Sequence, residues 1–143
     1  MIVLDTTILA YAAGGEHPLR EPCRRLLSAV AEGTVRATTT IEVIQEFAHV
    51  RARRRPRADA VALARDYAQA LTPLLVVDRP VLERGLSLFE ETAEVGCFDA
   101  ILAAAAIAND AQALVSVDTG FGAVPGLNHV DPATEAFERL IAA

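Results

Sequence analysis

The chain has 143 residues, 52% of them of hydrophobic type, and a formal net charge of −6. This suits one domain, residues 1–143, with a sizeable core, and no apolar run reaches the roughly 18 residues of a membrane span. All thirteen basic residues are arginine, and the lack of lysine excludes a P-loop, a Schiff-base mechanism and any other chemistry that needs a lysine amine.

In chain order, Ile2-Val3-Leu4 is a short apolar run with β-branched residues and predicts a buried strand ending at Asp5. Ile8 to Ala13 reads as helix, stopped by Gly14-Gly15, and Pro22 opens a second helix that Gly33 ends. Val35 to Thr38 reads as a strand, and Thr39 or Thr40 caps a helix from Ile41 to about Arg55. Ala58 to Leu71 is helical, Pro73 breaks it, and Leu74 to Val77 reads as a further strand. Asp78-Arg79-Pro80 opens a helix to about Glu94. Gly96 precedes an apolar helix from Phe98 to Asn109. Ala113 to Val117 is a strand ending at Asp118, Asn128 to Val130 a short one, and Asp131-Pro132 caps a last helix over residues 133–142.

Strands separated by helices predict an α/β fold, a three-layer sandwich with a mostly parallel central sheet of about four or five strands and helices on both faces. Ligands of such sheets bind beyond the carboxyl ends of the strands. That rule singles out Asp5 and Asp118, both directly after apolar strands. Each has a bland alternative, Asp5 as a helix cap and Asp118 as a turn residue. Asp78 also ends a strand, but capping the following helix explains it.

Asp99 stands in the first turn of a very apolar helix. The helix dipole favours an acid there, yet a carboxylate beside a closely packed alanine stripe carries a desolvation cost that a cation would relieve. Glu42 and Glu46 are four apart on one helix face. Glu46 lies nearer the inward side, and Glu42 ranks lower as an ordinary first-turn acid. Acids from four elements repel one another unless a divalent cation neutralises them. All-oxygen ligands without clustered Cys or His select Mg²⁺, with Mn²⁺ as a substitute.

The arginines are unevenly placed, with Arg51, Arg53, Arg54, Arg55 and Arg57 in one stretch. Such a patch on an acidic chain suits local contact with a polyanion, which the resemblance given below would make RNA, or equally a solvated helix end. Cys23 and Cys97 show no metal-type spacing and read as buried thiols of a reducing compartment, hence a cytoplasmic protein. The opening residues have no signal-peptide pattern.

Four segments together resemble PIN-domain proteins, specifically the VapC-type toxins of bacterial toxin–antitoxin pairs. Met1 to Leu9 resembles their opening strand and Asp-Thr, with Thr7 where a supporting Ser or Asn is usual. Thr40 to Phe47 resembles the second motif and selects Glu46. Phe98 to Ala105 resembles the third, and Leu114 to Asp118 with Phe121 the fourth. Thr119-Gly120 departs from the charged residue that many relatives carry there.

The resemblance implies a Mg²⁺-dependent endoribonuclease toxin using Asp5, Glu46, Asp99 and Asp118. It also implies a homodimer, a cognate VapB-type antitoxin and a tRNA or rRNA substrate. A catalytically silent RNA- or protein-binding module is the alternative. A haloacid-dehalogenase-type phosphatase needs a second Asp where Thr7 stands, and both it and a receiver domain need a lysine.

Overall fold

The computed structural model describes residues 1–142. Its centre is a four-stranded, all-parallel sheet: β1 (Ile2–Leu4), β2 (Ala37–Thr38), β3 (Ala113–Val115) and β4 (His129–Val130), in the order β2-β1-β3-β4. The two inner strands are buried at every residue, as expected for a sheet covered on both faces. That is why they read as unbroken apolar runs.

The connections from β1 to β2 and from β2 to β3 lead to opposite sides of β1. The strand order therefore reverses at β1, and the crevice of this switch point lies beyond the carboxyl ends of β1 and β3. Asp5 follows β1 directly, and its backbone N–H donates to the Val115 carbonyl of β3 at 3.1 Å.

Among the described residues seven helices complete the layers: α1 (Thr6–Ala13), α2 (Arg20–Ala31), α3 (Ile41–Arg51), α4 (Arg57–Ala70), α5 (Arg79–Glu91), α6 (Cys97–Ala108) and α7 (Glu135–Ala142). One packed set joins α1 to α2 and α3, and α3 to α4. A second pairs α5 with α6. The stripe of Ala103 to Ala106 lets α6 pack closely and is wholly buried. Gly85 of α5 is part of the same fit, since a Cβ there would lie 2.6 Å from Ile101 Cγ1.

The strand expected over Leu74 to Val77 does not form. Only one parallel bridge, Thr40 to Leu75, joins that segment to the sheet edge. The chain turns into α3 at Ile41, so β2 offers no further ladder to pair with, and Asp78 soon caps α5, its carboxylate accepting from Val81 N–H at 3.0 Å. Helix α3 stops at Arg51 rather than near Arg55, and α7 starts at Glu135, past a turn fixed by Asp131. Cys23 is buried as expected, whereas Cys97 is only half-buried at the start of α6. Among the described residues no helix is long and apolar enough to cross a membrane.

Candidate active site

The end of β1 and the start of α1 form the floor. Asp5 occupies the N-cap position of α1 but makes no capping bond with its side chain. Its Oδ2 instead accepts from Ser116 Oγ at 2.6 Å and Thr7 Oγ1 at 3.1 Å. The residue is only 4% exposed. Burial raises its pKa, against the lowering effect of these hydroxyls and the Thr6 backbone.

Ser116 and Thr7 tie three segments together. Thr7 Oγ1 accepts from Val117 N–H at 3.2 Å, and Ser116 Oγ accepts from Asp118 N–H at 3.0 Å. The wholly buried Ser116 therefore links Asp5 to the backbone that carries Asp118. Behind it, a His129 ring nitrogen lies 2.9 Å from the Ser116 carbonyl, which joins β4 to the same support.

Glu46 projects from the middle of α3 to the start of α1, where its Oε2 accepts from Thr6 Oγ1 at 2.7 Å. Glu42 stays exposed in the first turn of α3 and joins no such contact. Asp99 lies in the first turn of α6. Its carboxyl is pushed up to about 7, first by burial, then by the charge of Asp5, by the hydrogen bond and charge of Asp118, and by Glu46. The four acids singled out from sequence thus feel one another in one crevice. Among the described residues, however, no three Asp, Glu, His or Cys side chains form a ready-made metal cluster. Two of the acids are turned to hydroxyl partners, Asp5 to Ser116 and Thr7, and Glu46 to Thr6.

Asp118 is held by the unusual Thr119-Gly120 pair. Its Oδ1 accepts from Gly120 N–H at 2.9 Å, opening a 3₁₀ turn over Thr119–Ala123. A Cβ at position 120 would clash with the Glu94 carbonyl oxygen. The glycine is needed for backbone to approach backbone there. Gly120→Ala is expected to cost about 1–3 kcal/mol through overpacking, read as a melting temperature lowered by several degrees, and to reduce any activity that depends on Asp118.

Thr6 and Ser116 were not singled out from sequence. Their signal is faint: a hydroxyl next to the first acid, and one two residues before the last, on the same side of an extended segment.

Of the arginine stretch, Arg51 is structural. Its Nε donates to Asp59 Oδ1 at 2.9 Å and its Nη1 to the Ala13 carbonyl at 3.0 Å. Arg53, Arg54 and Arg55 follow α3 in an exposed turn, and Arg57 opens α4.

A family model for the PIN domain matches residues 2–127. The chain belongs to the PIN-domain family. Within that family it is a VapC-type ribonuclease sequence: it is 51% identical over 145 residues to ribonuclease VapC7 of Mycobacterium tuberculosis, across 99% of this chain and 98% of that protein. Ribonuclease VapC13 of the same organism is 29% identical over 136 residues, across 91% and 99%. Among solved structures, VapBC2 from Rickettsia felis, bound to a DNA fragment from its promoter, has a chain that superposes with a TM-score of 0.72. At 20% identity, over 92% of this chain and 98% of that one, this is a likeness of PIN fold.

Proposed function

We propose that this PIN-domain protein is an endoribonuclease toxin that hydrolyses RNA with Asp5, Asp99, Glu46 and Asp118 gathered around Mg²⁺, or Mn²⁺ in its place. The observation that carries the reading is the frame that brings the acids together: Ser116 links the Asp5 carboxylate to the backbone of Asp118, and Thr6, next to Asp5, holds Glu46, while burial and the charges of all three raise the pKa of the Asp99 carboxyl. Acids crowded at the carboxyl end of a parallel sheet form an unstable arrangement of like charge unless a cation offsets it. The donor set fits a hard divalent cation, because every candidate ligand is a carboxylate oxygen.

Asp5 and Asp99 would be the main ligands, with Glu46 and Asp118 completing the site or orienting water. When bound, the ion lowers the pKa of a coordinated water and offsets charge on the phosphate. The chain's own residues provide the order. Ser116 and Thr7 fix the Asp5 carboxylate, Thr6 holds Glu46, and Gly120 sets Asp118. Asp99, whose carboxyl burial and the neighbouring acids raise to about 7, would be ionised when it holds the ion. Attack of water on phosphorus breaks the P–O3′ bond, and the 3′ oxygen takes up a proton. The products are a 5′-phosphate and a 3′-hydroxyl.

Purified protein incubated with total RNA is expected to give discrete fragments with Mg²⁺ or Mn²⁺ and none with EDTA. Intact RNA in every condition, with metal binding demonstrated, would overturn the reading in favour of a silent binding module. The same reading places the protein in the cytoplasm as a homodimer restrained by a VapB-type antitoxin, with a tRNA or rRNA target.

Ser116 gives a sharper test. Ser116→Ala removes the shortest hydrogen bond to Asp5 and frees the Asp118 N–H. Partners that orient metal ligands are typically worth about 10–100-fold in metal affinity or activity. The Mg²⁺ concentration for half-maximal cleavage should rise on that scale, and Ser116→Thr should restore part of the loss.

A further inference from the structure

Beyond the acids, α1 and α3 continue side by side. Thr6 and Ala10 are one turn apart on α1, as are Glu46 and Val50 on α3, so each pair lies on a common helix face. The Thr6–Glu46 hydrogen bond closes the acidic end of this seam. One turn further on, the seam opens into a cleft of about 710 Å³ lined by Ala10, Tyr11, Gly14, Gly15, Val50 and the arginine turn. Val50 on its lining lies roughly 6 Å along the α3 axis from Glu46.

Its charge is set by Arg53, Arg54 and Arg55. Among the described residues, none of the three has an acid within ion-pairing distance, whereas Arg51 is committed to Asp59. The turn is built firmly. Arg53 N–H donates to Val50, and the Arg54 and Arg55 N–H groups to Arg51, at 3.1–3.2 Å. Arg51 also fastens the turn to the end of α1 through the Ala13 carbonyl. A preference of cations for a helix C-terminus accounts for Arg51 in the last turn of α3, but not for three arginines beyond it. The lining also carries the Tyr11–His17 ring pair, centroids 4.5 Å apart, and Glu16 is its one carboxylate.

We propose that this cleft is a subsite for single-stranded RNA: Arg53, Arg54 and Arg55 take phosphates flanking the scissile one, and the Tyr11–His17 pair offers a face to a base. The proposal rests on the nuclease reading above. A cationic groove with an aromatic wall is the usual means of holding a single strand. The geometry also answers an electrostatic need. A chain of net charge −6 with four acids at its site repels a polyanion, so flanking phosphates need fixed cations close by.

The test measures binding of a fluorescent single-stranded RNA across a salt series, in an Asp5→Asn background that does not cut. Arg54→Ala/Arg55→Ala is expected to weaken binding about tenfold or more and to reduce the slope of log K against log salt by about 1.4, two single-strand phosphate contacts. Arg54→Lys/Arg55→Lys should retain most of the slope, and Arg79→Ala/Arg84→Ala, which removes equal charge from α5, should leave it unchanged. In the cleaving protein, Arg54→Ala/Arg55→Ala should raise KM with kcat little altered, since flanking contacts bind ground and transition state alike.

An unchanged slope and KM, with wild-type cleavage intact, would overturn the subsite and leave the nuclease reading standing. Retained RNA affinity with lost binding of polyglutamate would also overturn it and make the cleft a peptide surface. Arginine-dependent RNA binding without any metal-dependent cleavage would keep the cleft and overturn the nuclease reading.

Discussion

Asp5→Asn is expected to lower RNA cleavage by on the order of 10³-fold or more, while the melting temperature stays within a few degrees of wild type. The two halves of this result follow from the same contacts. The amide oxygen of Asn can accept from Ser116 Oγ and Thr7 Oγ1 as Oδ2 does. The favourable influence of the Thr6 backbone on the charged carboxylate is what an amide loses. Against that loss stands the removal of a buried charge whose pKa burial already raises. Folding thus changes little, but a ligand charge is lost where a cation is needed. Cleavage and thermal melting on the same preparation check both halves. Full activity would remove Asp5 from the site, and a collapsed melting temperature would make the loss of activity a folding effect.

The parts of the site legible in sequence were those set by chain topology. Asp5 and Asp118 follow apolar runs that could only be buried strands, and a parallel sheet brings strand ends to one edge. Glu46 and Asp99 lie on helices, and Glu46 is preferred to Glu42 as nearer the inward side and by its place in the second motif; in the structure both glutamates are exposed, and only Glu46 makes the bond to Thr6 that separates them. Sequence pointed to the supporting hydroxyl of Thr7, which does bond Asp5, but not to Ser116 or Thr6. Ser116 touches Asp5 across 111 positions, and Thr6 touches Glu46 across 40, contacts that no local pattern encodes.

The missing strand is a similar case. Leu74 to Val77 has strand composition, but pairing depends on a neighbour, and β2 leaves the sheet after two residues. The arginine stretch read as one patch and separated into roles only in three dimensions. Arg51 bridges Asp59 and α1, whereas Arg53 to Arg55 face a cleft formed by a helix far away in sequence.

Asp99→Asn should likewise abolish cleavage, but with a distinct stability signature. In the metal-free protein the Asp99 carboxyl is raised from 3.8 to about 7, first by burial and then by Asp5 and Asp118. Between those values the folded state holds a proton that the unfolded state has lost, so stability falls as pH rises through this window. The cost is absent below 3.8 and fully present above about 7. Asn does not titrate, and its amide can still donate to Asp118 as the protonated acid does. The variant should therefore melt higher than wild type above pH 7, and the difference should shrink steadily on acidification. Added Mg²⁺ should reverse the order, because an ion that binds only the folded state stabilises it in proportion to the logarithm of its concentration over Kd. Wild type, with all four acids, gains more from the ion than the variant. A melting difference that is independent of pH and of Mg²⁺ would mean that Asp99 neither shares charge with Asp5 and Asp118 nor helps to hold a cation.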